Sequence, residues 1–160
     1  MAYKKLKLWF DGDLAELLGT KITEVFPEFK ARRFIEAIEA GVAGLELKDR
    51  VAFIADQLRK ELPDDYEQAI DILNQIIGPE NNKETGMFTE GYWLMPIASF
   101  VERFGIDHFE ASIVFIEEIT KRNTGEYCIR PFLEKYPDRT LKIMEVWSKN
   151  ENVHVRRLSS

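Results

Sequence analysis

The sequence has a single cysteine, Cys128, and lacks any apolar run as long as a membrane helix requires. One thiol cannot form an internal disulfide, which excludes a disulfide-stabilised secreted domain and fits a reducing compartment. The richest apolar stretch, YWLMPIASFV, is interrupted by Pro96, whereas a spanning helix needs about 18 to 20 apolar residues. The amino-terminal residues show no signal-peptide pattern. We therefore expect a cytoplasmic location and no membrane partner.

The signature motifs of nucleotide, zinc and serine-hydrolase sites are also missing, since there is no phosphate-binding glycine loop, HExxH, paired CxxC or GxSxG. His108 and His154 have no evident ligand neighbour in sequence and are predicted to lie on the surface. Asp11 and Asp13 are predicted to cap a helix, and Cys128 to be a small core residue. We expect no metal site and no cofactor.

Positive charge is scarce overall but unevenly distributed. The net charge is −6, which by itself argues against a nucleic-acid partner. Residues 121–160 nevertheless carry nine Lys or Arg against five Asp or Glu, a net of +4, so the first 120 residues carry −10. This asymmetry is a hint that the basic part faces an anion.

Helical periodicity is what the sequence has in abundance. One apolar stripe, at the spacing of an amphipathic helix, consists of Leu47, Val51, Ile54, Ala55, Leu58 and Leu62. The pattern predicts helices over about 13–25, 31–40, 47–62, 66–77, 92–104, 108–122, 126–136, 138–149 and 153–158, and no strand is convincing. The predicted fold class is all-α.

Helix-ending signals recur along the chain at Pro27, Pro63, Gly105 and Pro137, which are 36, 42 and 32 residues apart. Such a period predicts an α-α superhelix (solenoid) of HEAT-like helical repeats. An irregular helical bundle is the alternative that spacing leaves open. The polar loop 77–91 is predicted to be a surface excursion, so residues 1–160 are expected to form one HEAT-like helical-repeat domain.

The last helix, 153–158, has Asn152 as a good N-cap, but no later helix follows to cover its apolar side. A solenoid needs a capping repeat at its end. The domain is therefore expected to be truncated at its carboxyl end, where the uncapped surface would allow self-association.

The stretch TGEYCIRPFLEKYP, residues 124–137, contains an acid that admits two interpretations. Thr124 can cap a helix whose first turn holds Glu126, where the helix dipole favours an acid. The other interpretation gives Glu126 a chemical role. Trp93 similarly reads either as a core residue or as a base-stacking platform.

Several long phrases resemble one family, the HEAT-like-repeat alkylpurine DNA glycosylases of DNA alkylation repair, in particular the AlkC branch. They are VFPEF, LELKDRVAFIADQL, LPDDYEQAIDIL, WLMPIASFVERFGIDHFEASIVFIEEITKR and TGEYCIRPFLEKYPDRTLKIMEVWSKNENVHVRRLSS. The likeness runs from about Ile22 to the last residue, and residues 120–160 are its most specific part.

The resemblance implies an N-glycosylase that excises cationic N-alkylpurines, of the 3-methyladenine or 7-methylguanine type, from alkylated duplex DNA. Glu126 matches the family's acidic position and is the candidate catalytic residue. The candidate DNA-binding residues that the resemblance implies are Arg130, Arg156, Arg157, Lys121, Arg122 and Trp93.

The family continues HVRRL with Ser-Glu-Gly and then Pro-Arg-Leu-Pro-Trp, which supply a second acid and an aromatic residue. The 160 residues end before that acid, so we expect them to be weakly active or inactive alone. A non-catalytic HEAT-like module that binds protein or DNA is the alternative function.

Overall fold

The computed structural model describes residues 4–87 and 89–160, which are helical without a strand. This confirms the all-α prediction. The chain divides into two compact units, Met1–Ile76 and Ile77–Ser160. No helix in the described ranges has the length and apolar character that crossing a membrane requires.

The first unit contains a one-turn 3-10 helix at Leu6–Trp9 and four α-helices. These are α1 (Gly12–Val25), α2 (Ala31–Gly41), α3 (Leu47–Glu61) and α4 (Tyr66–Ile76). Helix α1 packs against α2 and α4, and α3 packs against α2 and the 3-10 helix. Its core consists of side chains at helical spacing, among them Leu14, Leu18, Ile22, Phe34, Ile38, Ile54, Leu58 and Leu73.

Polar groups fix the start of this unit. Asp11 is the N-cap of α1, and its carboxylate accepts hydrogen bonds from the backbone N–H groups of Asp13 and Leu14. Arg50, only 6% exposed, donates to the carbonyl oxygens of Leu45 (2.8 Å) and Phe10 (3.2 Å). The buried guanidinium thereby joins α3 to the segment that precedes α1.

The second unit contains a 3-10 helix at Tyr92–Leu94 and five α-helices. These are α5 (Met95–Phe104), α6 (Phe109–Thr120), α7 (Glu126–Lys135), α8 (Pro137–Trp147) and α9 (Val153–Leu158). Helix α7 packs between α5 and α8, and α9 packs on α6 and α8. Each helix predicted in either unit is present within two residues of its expected ends, apart from the 92–104 segment, which opens with the 3-10 turn and becomes α-helical at Met95.

Two details of the second unit differ from the expectations. The apolar side of α9 is covered by helices that precede it in the sequence. Helix α9 packs on α6 and α8, and Val155 is fully buried. The expectation of an uncovered face was wrong because it considered only helices that follow α9 in sequence. His154, predicted on the surface, is 3% exposed. The single-domain prediction, and the truncation that went with it, stay predictions.

Candidate functional site

Glu126 is the first residue of α7, and the turn before it is fixed by small and polar groups. The N-cap is Gly125, and not Thr124 as predicted. Thr124 still contributes, because its Oγ1 accepts the backbone N–H of Glu126 at 3.3 Å. The carboxylate therefore stands in the first turn, where the helix dipole stabilises negative charge.

Gly125 is required by close packing. A Cβ at position 125 would overlap Oγ1 of Thr120 and would lie 3.4 Å from a methyl group of Leu158. The start of α7 thus sits directly against the end of α6 and against α9. A larger residue at this position would require the Thr120 side chain or the start of α7 to shift.

The Glu126 carboxylate is 60% exposed and forms an ion pair with Arg130, whose Nη2 lies 2.9 Å from Oε1. The pair has the i, i+4 spacing that brings two side chains together on one helix face. The Arg130 guanidinium also lies over the ring of Tyr127, 5.1 Å from its centroid, and Tyr127 is 62% exposed. The Glu126 carboxylate, the Arg130 guanidinium and the Tyr127 ring therefore form one exposed cluster on α7. The sequence alone assigned no role to Tyr127.

Two further predicted cations, Lys121 and Arg122, follow α6 and are occupied by contacts within the unit. Arg122 donates from Nε to the Gly78 carbonyl (2.7 Å) and from Nη1 to the Glu118 carbonyl (2.6 Å). Lys121 binds the Glu118 carboxylate at 2.8 Å, and that hydrogen bond raises the pKa of Lys121 above its ordinary value. Burial alone would raise the pKa of Glu118, but the two cations outweigh it and lower that pKa.

The two arginines of α9 have different surroundings. Arg156 donates from Nη1 to the carbonyl oxygens of Asn150 (2.7 Å) and Glu151 (2.8 Å). Arg157 is exposed, and its guanidinium has no ion pair or hydrogen bond with any residue that the structure describes. Arg157 is therefore the more available of the two for a phosphate.

Trp93 lies in the 3-10 helix before α5 and is half-buried. Its intermediate burial is consistent with either interpretation of the sequence. Cys128 is 1% exposed, as predicted for a core residue. Burial raises the pKa of the Cys128 thiol to about 12, with a smaller contribution from the charge of Glu102.

The loop 77–91 is held to the unit by polar side chains at the start of α9, its N-cap Asn152 and His154. Nδ2 of Asn152 donates to Oε1 of Glu80 (2.8 Å) and to the carbonyl of Asn81 (3.2 Å). Nε2 of His154 lies 2.6 Å from the Lys83 carbonyl, while its Nδ1 is buried without a partner in the described ranges. His154 is thus a structural residue. Its contact with Lys83, 71 residues away along the chain, has no local signal in the sequence.

An open cleft of about 600 Å³ lies beside this loop contact in the second unit. Its lining residues are Glu80, Lys121, Glu145, Val146, Lys149, Asn150 and Glu151. Glu126 is not among them, so the cleft and the α7 cluster are separate features. Within residues 4–87 and 89–160, no three His, Cys, Asp or Glu side chains converge as metal ligands would.

Comparison with known proteins gives matches that extend over nearly all of the chain. The structure of Pseudomonas fluorescens alkylpurine DNA glycosylase AlkC, bound to DNA containing an abasic site analogue, superposes with a TM-score of 0.86 at 30% identity, covering 99% of this chain and 42% of that one. The chain is AlkC-like in sequence and in fold. The Bacillus subtilis (strain 168) protein YhaZ, itself uncharacterised, is 29% identical over 156 residues, which are 97% of this chain and 41% of YhaZ. No protein-family model matches.

These matches confirm the resemblance seen in the sequence and the predicted fold class, an α-α superhelix of HEAT-like helical repeats. The AlkC-like chain spans about two fifths of the length of either relative and corresponds to an amino-terminal part. The roles of Glu126, Trp93 and the basic residues stay predictions.

Proposed function

We propose that this chain is the amino-terminal part of a DNA glycosylase that excises cationic N-alkylpurines from duplex DNA, in DNA alkylation repair. The likeness to DNA-bound AlkC over 99% of the chain carries the proposal. The exposed position of Glu126 is compatible with the proposal. A catalytic carboxylate must be accessible to the deoxyribose of a DNA duplex bound at the protein surface.

The proposed reaction is hydrolysis of the bond between deoxyribose and the alkylated purine. Alkylation at a ring nitrogen makes the purine cationic and hence a good leaving group, so a strong general acid is unnecessary. What the reaction needs is stabilisation of a sugar that resembles an oxocarbenium ion, and a positioned water molecule. A carboxylate supplies both, as in glycoside hydrolysis, and we assign this part to Glu126.

Arg130 connects DNA binding to this carboxylate. An exposed i, i+4 ion pair is worth only about 0.3 to 0.5 kcal/mol, so a DNA phosphate can displace Glu126 from Arg130 at little cost. In the proposed complex Arg130 binds phosphate and the Glu126 carboxylate becomes free to face the sugar. Arg157 supplies a second phosphate contact from α9.

We further propose that other carboxylates of the active site come from outside these 160 residues, which span 41% and 42% of the two relatives. Groups that act together on one transition state lose most of their effect when separated. The 160-residue chain is therefore expected to release methylated purines poorly, and robust release of 3-methyladenine by it would contradict this part of the proposal.

The test of Glu126 is the Glu126→Gln variant in a form of the chain extended past Ser160 with its natural continuation. We expect single-turnover release of 3-methyladenine or 7-methylguanine to fall about 100-fold, since removal of one preorganised electrostatic group costs about 10²–10³ in rate. Glu134→Gln is the matched control, because Glu134 lies two turns further along α7 and is also exposed. Equal rates for the two variants would remove Glu126 from the chemistry.

The alternative is a HEAT-like module that binds DNA without chemistry, and the Glu126–Arg130 pair favours it, since a paired carboxylate is a natural surface feature. In that case the extended chain would bind abasic-site DNA with no excision. The same two variants separate the alternatives, because a binding module shows no loss of release specific to Glu126→Gln.

A further inference from the structure

Asn123 is a buried polar residue between α6 and α7 that sequence analysis did not single out. It is 1% exposed. Its Nδ2 donates to two backbone carbonyls, those of Met87 (2.9 Å) and Gly91 (2.7 Å), and its Oδ1 accepts the backbone N–H of Thr124. Both amide hydrogens and the amide oxygen are thus used, which is the requirement for burying such a group without a penalty.

The two carbonyl partners belong to the end of the loop 77–91, directly before the 3-10 helix that carries Trp93. A Cβ at Gly91 would lie 2.7 Å from the Arg122 carbonyl oxygen and 2.8 Å from that of Met87. Only glycine permits this approach of the two backbones. The end of the loop and the turn before α7 therefore touch, and Asn123 provides the hydrogen bonds across the contact.

The oxygen side of the same amide faces the start of α7. Oδ1 of Asn123 holds the N–H of Thr124, and Thr124 in turn accepts the N–H of Glu126. One side chain is thus bonded both to the segment that leads into Trp93 and to the turn that sets Glu126.

We propose that Asn123 is a positioning residue that fixes the Trp93 segment and the Glu126 turn relative to each other. This inference rests on the proposed function for its consequence, DNA binding, but the coupling itself is a property of the fold. Asn123 acts through its neighbours and does not contact the substrate.

The decisive variant is Asn123→Asp, which keeps the shape and replaces the amide donor by a carboxylate facing two carbonyl oxygens. Burial and the missing donor raise the pKa of such a carboxyl. A carboxyl whose pKa is raised in the folded state stabilises the fold at low pH, and that contribution is lost as the pH rises through the raised pKa. The defect is therefore expected at pH 8 and should be partly reversed at pH 5.5, where the protonated acid can donate one hydrogen bond.

Asn82→Asp is the matched control, because it adds the same charge at an exposed position of the loop 77–91, which Asn123 contacts. Backbone amide hydrogen exchange is measured for the loop end and for the first turn of α7. At pH 8 we expect exchange in Asn123→Asp to be at least about tenfold faster in both segments than in Asn82→Asp. Acceleration in the loop alone would overturn the proposed coupling. If Asn123→Asp does not fold, the neutral variant Asn123→Ser, which also lacks the two amide N–H groups, is measured in its place.

The functional consequence is measured with a DNA duplex that contains an abasic-site analogue. We expect Asn123→Asp to bind it about tenfold more weakly than Asn82→Asp at pH 8, with the difference reduced at pH 5.5. Equal affinities of the two variants, while exchange is accelerated, would show a purely structural residue and refute the positioning role. If the unmodified chain fails to prefer this DNA, the proposed function fails, and the exchange measurement alone then supports or refutes the coupling.

Discussion

Single buried polar side chains hold the irregular segments of the second unit in place. Asn123, Asn152 and His154 each bond to carbonyl groups of the loop 77–91. A loop carbonyl without a partner would be costly to bury, so these side chains replace the backbone partners that a helix would supply. The end of the loop can therefore pack against the turn that precedes α7.

The buried thiol of Cys128 predicts a specific alkaline dependence of stability. Its pKa in the folded state is about 12, whereas an unfolded cysteine has a pKa of about 8.5. The folded state holds this proton more tightly, so the contribution is complete below about pH 8.5 and is lost as the pH rises toward 12.

We therefore expect the difference in unfolding free energy between the unmodified chain and Cys128→Ala to change by about 3 kcal/mol, to the disadvantage of the unmodified chain, between pH 7 and pH 10.5. Urea denaturation of both proteins at the two pH values measures it, and the alanine variant removes the effects of lysine and tyrosine titration. A constant difference would mean that the thiol is accessible.

The arginines implied as DNA contacts should separate into structural and available groups. Arg122 is 14% exposed and donates to two carbonyls, so Arg122→Gln should lower the free energy of unfolding by roughly 1 to 3 kcal/mol. Arg157→Gln removes an exposed cation and should change it by less than about 0.5 kcal/mol. Chemical denaturation at pH 7 distinguishes them, and equal losses would contradict the structure.

At the scale of elements, close contacts at glycine decide where helices meet. The last residue of α2, Gly41, faces α3, where an added Cβ would overlap the ring of Phe53. The two helices are also joined by Arg33 and Glu61, whose Nε and Oε1 lie 2.8 Å apart. The apolar stripes show that α2 and α3 pack together, but the closeness of the contact depends on one missing side chain.

Gly41→Ala should therefore destabilise the first unit by about 1 to 3 kcal/mol, the usual cost of overpacking, although alanine is the better helix former. Phe53→Leu replaces the opposing ring by a shorter side chain and should remove most of that cost. Thermal unfolding of the two single variants and the double variant gives the coupling energy. Additive effects would show that the ring moves away freely.

Over the whole molecule, charge is divided between an acidic first part and a basic last part. Residues 121–160 carry a net +4 within a chain of net −6, and part of this positive charge, on Lys121 and Arg122, is committed to internal contacts. DNA binding by the chain is thus expected to depend on few cations. Val155 of α9 is buried within the unit, and self-association stays a prediction.

Arg130 and Arg157 are the cations that we expect to release counterions from DNA. Each phosphate contact contributes about −0.9 to the slope of log K against log salt concentration. The double variant Arg130→Gln/Arg157→Gln should reduce the magnitude of this slope by about 2 relative to the unmodified chain, as measured by titrating duplex DNA at several salt concentrations. Lys142→Gln is the control for a general loss of positive charge. If it reduced the slope by about 1, as much as each of the two arginines, a specific role of Arg130 and Arg157 would be contradicted.

The sequence by itself determined the helices, the N-caps of α1 and α9, and the family likeness. Apolar residues at i, i+4 and i+7, and caps such as Asp11 and Asn152, are local signals that act within one or two turns. The structure shows these elements nearly as predicted. The position of Glu126 in the first turn of α7 was readable for the same reason, since only its immediate neighbours fix it.

Only the tertiary structure decided what surrounds those elements. The burial of His154, the cover over Val155 and the bonds of Asn123 to Met87 and Gly91 depend on which surfaces meet. A buried asparagine and an exposed one have the same local sequence signal, because the partners of Asn123 lie 36 and 32 residues away along the chain. Their approach is set by packing of the helices between them, which no local pattern encodes.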